Sequence, residues 1–137
     1  MLKYSLIPRK NPITKESLFY ANLEPVTPVG LNQLAQEISG SCTLTVHDIK
    51  AVISALEESI FRALRNGQST RLGDLGSFHP TLSSSGAVTK EDFSKANLRG
   101  VKVRFVPSTK MRYEISMHNP NVTFSRQNDA SDEVVDN

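Results

Sequence analysis

RLGDLGSF, Arg71 to Phe78, and, beyond a polar interval, VKVRFVPSTKMR, Val101 to Arg112, are the stretches whose reading decides the fold. Both alternate with period two, the signature of strands with unlike faces. Thr70, Leu72, Phe78, Pro80, Leu82, Val101, Val103 and Phe105 fall on one side. Arg71, Ser77, His79, Thr81, Lys102 and Arg104 fall on the other. The pattern predicts a hairpin sheet with one apolar and one cationic side. SSSGAVTKEDFSKANLRG, Ser83 to Gly100, separates the strands; it is polar, bounded by glycine and too long for a tight turn, so an arm or lobe is expected over about 83–100.

Upstream the period changes to that of helices. A first helix is expected from Thr27, as cap, with Pro28 where a missing N–H costs nothing, to Ser39, with Gly40 as terminator. Thr45 and Asp48 form a capping-box variant that opens a second helix, and Asn66-Gly67 stops it. Between them Ile49, Val52, Ile53, Leu56, Ile60, Ala63 and Leu64 make an apolar stripe about 30 Å long. A stripe of that length outreaches the core of a small monomer, so part of it, with Ala55 and Ser59 nearby, is expected to pack against a second subunit. At the ends, Leu2 to Ile7 and the cluster Leu18 to Leu23 read as one or two short strands. Pro107-Ser108 starts a short helix, Thr109 to about Met117, which Asn119-Pro120 ends.

Composition narrows the function classes. The 137 residues are 38% hydrophobic, which suits one folded domain. Cys42 is the lone cysteine, so a disulfide framework and a multi-cysteine zinc site are excluded. MLKYSLIPRKNP does not resemble a signal peptide, and no run approaches a membrane span. Charge is unevenly spread: Met1 to Phe61 is nearly neutral, whereas Arg62 to Tyr113 holds ten Lys/Arg against three Asp/Glu. From Glu114 onward there are one and five, and the polar stretch 118–137 is expected to be an acidic, unstructured tail. Basic residues gathered on one sheet face create a field that attracts a polyanion, and nucleic acid is the expected partner. His47, His79 and His118 are dispersed, so no metal site is expected, and His79 reads as a strand-surface histidine. No nucleophile motif or phosphate loop appears, so neither enzymatic activity nor a cofactor is expected.

The order of elements resembles the HU and integration-host-factor superfamily of bacterial histone-like proteins. LAQEIS (Leu34 to Ser39), NGQSTRLGDLGSF (Asn66 to Phe78) and VRFVPSTKMR (Val103 to Arg112) carry the resemblance, and with the N-terminal extension the chain looks closest to HU-like proteins of Bacteroides-type bacteria. The resemblance implies an α+β fold: two N-terminal helices, a sheet with an extended hairpin arm, a short C-terminal helix, and an intertwined dimer with itself or a related HU-like subunit. On this reading residues 1–25 are an extension, 26–117 the HU-like domain and 118–137 the tail. It further implies architectural, largely sequence-independent binding and bending of double-stranded DNA, in the cytoplasm at the nucleoid.

By position, Arg71, Gly73 and Ser77 match the saddle that meets flanking phosphates, Lys102 and Arg104 the returning strand, and Lys110 and Arg112 the terminal helix. Gly76 and Phe78 match structural positions. Lys90, Lys95 and Arg99 are the basic residues of the arm. The chain departs from the family pattern where Asp74 and Leu75 replace a glycine and an aromatic, and where the arm lacks the arginine-rich run and Arg-Asn-Pro tip. Glu91 and Asp92 dilute its charge, and Phe93 is expected to pack the arm onto the body rather than intercalate. These departures favour an alternative, an HU-like structural or protein-interaction module with weak or lost DNA binding.

Overall fold

The computed structural model describes residues 1–127 of this mixed α+β chain. In order the elements are β1 (Leu2–Lys10), β2 (Ser17–Leu23), α1 (Leu31–Ser41), α2 (Val46–Arg65), β3 (Thr70–Arg71), β4 (Gly76–Ser84), β5 (Leu98–Pro107), α3 (Thr109–Glu114) and β6 (Phe124–Arg126), with a single 3-10 turn at Lys95–Asn97. They form two compact units: Val29–Arg112, with both long helices and the sheet β3-β4-β5, and a terminal unit of Met1–Pro28 with the chain from Tyr113, built on the sheet β2-β1-β6.

In the helical unit, α2 has both ends capped as its sequence predicts. Asp48 N donates to Thr45 Oγ1 at 3.2 Å and Thr45 N donates to Asp48 Oδ2 at 3.1 Å, a reciprocal capping box. The two bonds that the Asp48 carboxylate accepts from Thr45, from its hydroxyl Oγ1 at 2.7 Å first and from its backbone N–H second, hold that carboxyl below its ordinary value of 3.8. At the far end Gly67, at φ 75°, lets Gln68 N reach Ala63 O at 2.9 Å and Gly67 N reach Leu64 O at 3.0 Å, the paired bonds of a Schellman stop.

Two expectations about α1 need correction. It begins at Leu31 behind an extended Gly30, not at Thr27, and no side chain caps it. Val26 and Val29 remain 77% and 55% exposed, so helical order at 27–30 would gain no burial to offset its entropy. Gly40 does not terminate α1 but lies within it, because one glycine costs a helix only about 1 kcal/mol. The Ser39 hydroxyl, donating to Leu44 O at 2.9 Å, ties the last turn to the α1–α2 connection.

The sheet follows from its turns. Leu75 N donates to Leu72 O at 3.0 Å, closing a turn with Gly73 at φ 54° in its first central place. That turn sets Thr70 opposite Phe78 and Arg71 opposite Ser77. β4 and β5 then pair from Gly76↔Pro107 to Ser84↔Leu98. Gly76 is obligatory: a Cβ there would collide with the Val106 carbonyl oxygen, and φ is 150°. Phe78 and Phe105 lie opposite one another with ring centroids 5.1 Å apart. Phe61, Leu64 and Arg65 of α2 line a groove with Pro80, Val101 and Val103, so the helix meets the apolar side of the sheet.

Among the described residues only Ala35 and Ile49 are enclosed apolar side chains. Val52 and Phe61 on α2 and Val101 and Val103 on β5 each keep more than half of their surface exposed.

The terminal unit is more ordered than expected. β1 passes through Pro8 to Lys10, pairing with β2 from Tyr4↔Leu23 to Lys10↔Ser17. Lys3 O accepts from Glu24 N and Asn11 N donates to Glu16 O, so odd-numbered residues of β1 direct their backbone at β2. Pro8 therefore directs its missing donor to the other side, where β6 pairs only with Leu2–Tyr4, and no ladder bond is lost.

Residues 118–127, expected to begin the unstructured tail, instead hold Asn119 and β6. The buried Asn119 donates through Nδ2 to Glu114 O at 2.9 Å and accepts from Asn121 N at 3.0 Å. By taking the Glu114 carbonyl it helps end α3 at Glu114, short of the expected Met117. The rest of the predicted tail, 128–137, lies outside the described residues.

Candidate nucleic-acid interface

Residues directly opposite in an antiparallel ladder project to the same face. Arg71↔Ser77, His79↔Arg104 and Thr81↔Lys102 therefore place Arg71, Ser77, His79, Arg104, Thr81 and Lys102 together, on the side opposite the Phe78–Phe105 pair. From Ser77 to Thr81 the row runs about 13 Å. Arg71, Lys102 and Arg104 are exposed, and among the described residues none of them has a carboxylate in ion-pair range. Three cations on one ribbon, unpaired among the described residues, form a surface suited to successive phosphates of a polyanion.

His79 ties this face to the start of the hairpin. Ser69 Oγ lies 2.9 Å from its Nδ1, and Ser77 Oγ lies 2.8 Å from its Nε2. Both ring nitrogens are thus engaged, and the part-buried imidazole is locked. The sequence reading left His79 and Ser69 out of the site. The signal was available in register: a turn that sets Thr70 opposite Phe78 also sets Ser69 opposite His79.

Other predicted residues lie elsewhere. Gly73 is the turn residue described above. Lys110, on α3, pairs with Asp74 at 3.7 Å, with both side chains well exposed. Ser108 fastens the same turn, its hydroxyl donating to Asp74 O and its N–H to Leu75 O at 3.1 Å. Asp74, the acid that departs from the family pattern, thus spends its charge on Lys110. Arg112 is exposed in the last turn of α3.

The arm is shorter than 83–100 suggests. Pairing continues to Ser84↔Leu98, after which Ser85 N donates to Asn97 O at 2.8 Å and Asn97 Nδ2 to Ser85 Oγ at 3.1 Å. This clasp closes a folded lobe over residues 86–96. Arg99 is the extra residue of a bulge, since Ser83 pairs with Gly100 and Ser84 with Leu98. By period two it is in any case out of phase with Lys102 and Arg104. Lys95 opens the 3-10 turn, and Lys90 O accepts from Phe93 N at 3.3 Å, so Lys90 and Phe93 share one turn. Phe93 is 42% exposed and lines a shallow recess with Ala87 and Val88, whereas Val88 itself is 98% exposed. The apolar side chain most available at the lobe is Val88, which the sequence reading did not single out.

No cluster of three or more His, Cys, Asp or Glu able to hold a metal occurs among the described residues. No described helix is long and apolar enough to cross a membrane.

A three-stranded ribbon with one cationic face and its apolar face against α2 defines a mixed α+β module. The family model for an HU domain fused to a winged helix-turn-helix, Ig or glycine-rich motif, HU-HIG, matches residues 1–121, and the chain belongs to that family. Among solved structures, a Bacteroides vulgatus ATCC 8482 protein, provisionally described as a bacterial DNA binding protein, superposes with a TM-score of 0.65 at 16% identity. The match covers 91% of this chain and 47% of that one, so the chain spans about half the length of its structural relative. No curated protein matches it.

Proposed function

We propose that this chain is an architectural, largely sequence-independent binder of double-stranded DNA that works as a dimer and bends the duplex. The observation that carries the reading is the placement of Arg71, Lys102 and Arg104 on one sheet face, with no acidic partner among the described residues. Lysine and arginine release counterions from phosphates whatever the base sequence, so such a face gives affinity without base readout. Family membership and the description of the Bacteroides vulgatus relative point the same way.

Dimerisation is supported by what one chain leaves uncovered. Val52, Leu56 and Phe61 on α2, with Val101 and Val103 on the inner side of β5, are apolar and 43–67% exposed. A second copy, or a related HU-like subunit, laid against them completes a core that a single chain lacks. Bending follows if Val88, at the lobe, enters between base steps and unstacks them. Nothing in this mechanism needs a catalytic group or cofactor, and the site of action is the nucleoid in the cytoplasm.

The Asp74–Lys110 pair and the compact, mixed-charge lobe favour the alternative of an HU-like protein-interaction module. Anisotropy titration of a labelled duplex over a range of salt separates the two. Steeply salt-dependent binding, independent of sequence, is expected. Absence of binding at about 50 mM salt would remove the architectural reading and leave the module.

A further inference from the structure

We propose that the Ser69–His79–Ser77 cluster is a seat for one backbone phosphate, and that His79 takes up a proton when the phosphate docks between Arg71 and Arg104. The inference rests on the duplex-binding reading above and deepens it by naming a proton-linked contact. Its geometry comes from the ladder. His79 lies directly opposite Arg104, and Ser77 directly opposite Arg71. Arg71 on β3 and Arg104 on β5 flank β4, about 10 Å apart across the sheet and about 7 Å along it, so their backbones stand roughly 12 Å apart and two long arginine side chains reaching inward can converge on one phosphate above His79.

The hydrogen-bond inventory of the imidazole explains the coupling. A neutral ring has one N–H donor and one bare acceptor nitrogen. With Ser69 Oγ 2.9 Å from Nδ1 and Ser77 Oγ 2.8 Å from Nε2, one serine must donate its hydroxyl proton into the ring while the other accepts. An imidazolium donates from both nitrogens. Both serine oxygens then accept, and the hydroxyl proton that the neutral ring had captured is released to point at an anion. Protonation adds one positive charge to the face and frees one more donor, without moving the ring.

The surrounding charges set the sign. Arg71 comes from β3, and Arg104 and Lys102 from β5; Ser69 and Ser77 are the hydrogen-bonding neighbours; Arg65 of α2 lines the opposite, apolar side. No described carboxylate pairs with these cations. A docked phosphate reverses the local potential and stabilises the imidazolium. A group that binds its proton more tightly in the complex than in the free protein makes the complex tighter as pH falls.

The test is anisotropy titration of a labelled duplex at constant ionic strength from about pH 5.5 to about pH 8.5, the range in which histidine changes charge. Wild type and His79→Gln are compared, and circular dichroism checks that the variant is folded. Wild-type affinity should rise toward acid by several-fold, up to about tenfold per pH unit for each proton taken up. His79→Gln should flatten that rise, so that the ratio of wild-type to variant affinity grows toward acid and is smallest at the alkaline end. In a companion measurement, the His79 ring resonances of wild type should titrate at higher pH with duplex than without.

An equal acid-side rise in His79→Gln, or ring resonances that ignore the duplex, would overturn the phosphate seat while leaving duplex binding intact. Failure of wild type to bind duplex at any pH would instead overturn the function on which the seat rests. If His79→Gln does not fold, the ring resonances of wild type decide alone.

Discussion

The two units are built on the same element, a three-stranded sheet, and present opposite chemistry. In β3-β4-β5 the apolar face meets α2 and the outward face carries Arg71, Arg104 and Lys102. In β2-β1-β6 the edge strand β2, SLFYANL, has no charged residue, and all seven of its residues are exposed. There Tyr4, Leu6 and Pro8 share a face with Leu23, Ala21 and Phe19 by register, and Leu2 pairs with Phe124. Phe19 and Leu23 on that face are 69% and 60% exposed. Sheet architecture alone therefore does not choose a partner. The choice lies in which parity of residues is charged: one ribbon suits phosphate, and the other offers apolar side chains.

The sharpest way to break this contrast is Leu56→Asp. If α2 is covered by a second copy, an unpaired charge in the stripe costs about 3–5 kcal/mol and removes fold and dimer together. Light scattering and a thermal melt check it; a well-folded monomer would show that the stripe faces solvent. Gly76→Ala comes next, because its Cβ has no room against the Val106 carbonyl. A loss of about 1–3 kcal/mol is expected, read as a lower urea midpoint.

The contrast in charge is sharpened by paired substitutions in the two units. Lys102→Ala with Arg104→Ala should weaken binding to every duplex alike and lower the salt slope by about two. Arg9→Ala with Lys10→Ala, in the terminal unit, should leave the slope unchanged. Equal effects would erase the distinction between the ribbons.

The smallest effect is at the α2 cap. Thr45→Ala should cost about 1 kcal/mol. The cap also has an acid limb: because Asp48 is held below 3.8 in the folded chain, its stabilisation is present above that value and fades as pH falls through the lower folded value. The difference between wild type and Thr45→Ala should therefore narrow only in strong acid, as an acid-denaturation series would show.

The α2 caps and the two faces of the hairpin were legible in the chain because each depends on neighbours in sequence. Thr45 and Asp48 are three residues apart, Asn66-Gly67 is contiguous, and period two assigns faces strand by strand. The start of α1, the end of α3 and the shape of the arm were not legible in this way. They depend on whether Val26 and Val29 find cover, on Asn119 reaching back to Glu114, and on Asn97 meeting Ser85 across the lobe.

Sequence alone thus determined the local grammar: a long capped helix, a glycine-turned hairpin and an excess of cations in its middle. The tertiary structure decided which charges act together. It set Lys110 against Asp74, set Arg99 apart in a bulge, placed His79 between two serines, and left Arg71, Lys102 and Arg104 on one open face. The physical reason is range: helix caps and strand alternation are set within a few residues, whereas pairing and neutralisation of charge depend on distances that exist only after the strands have found their register.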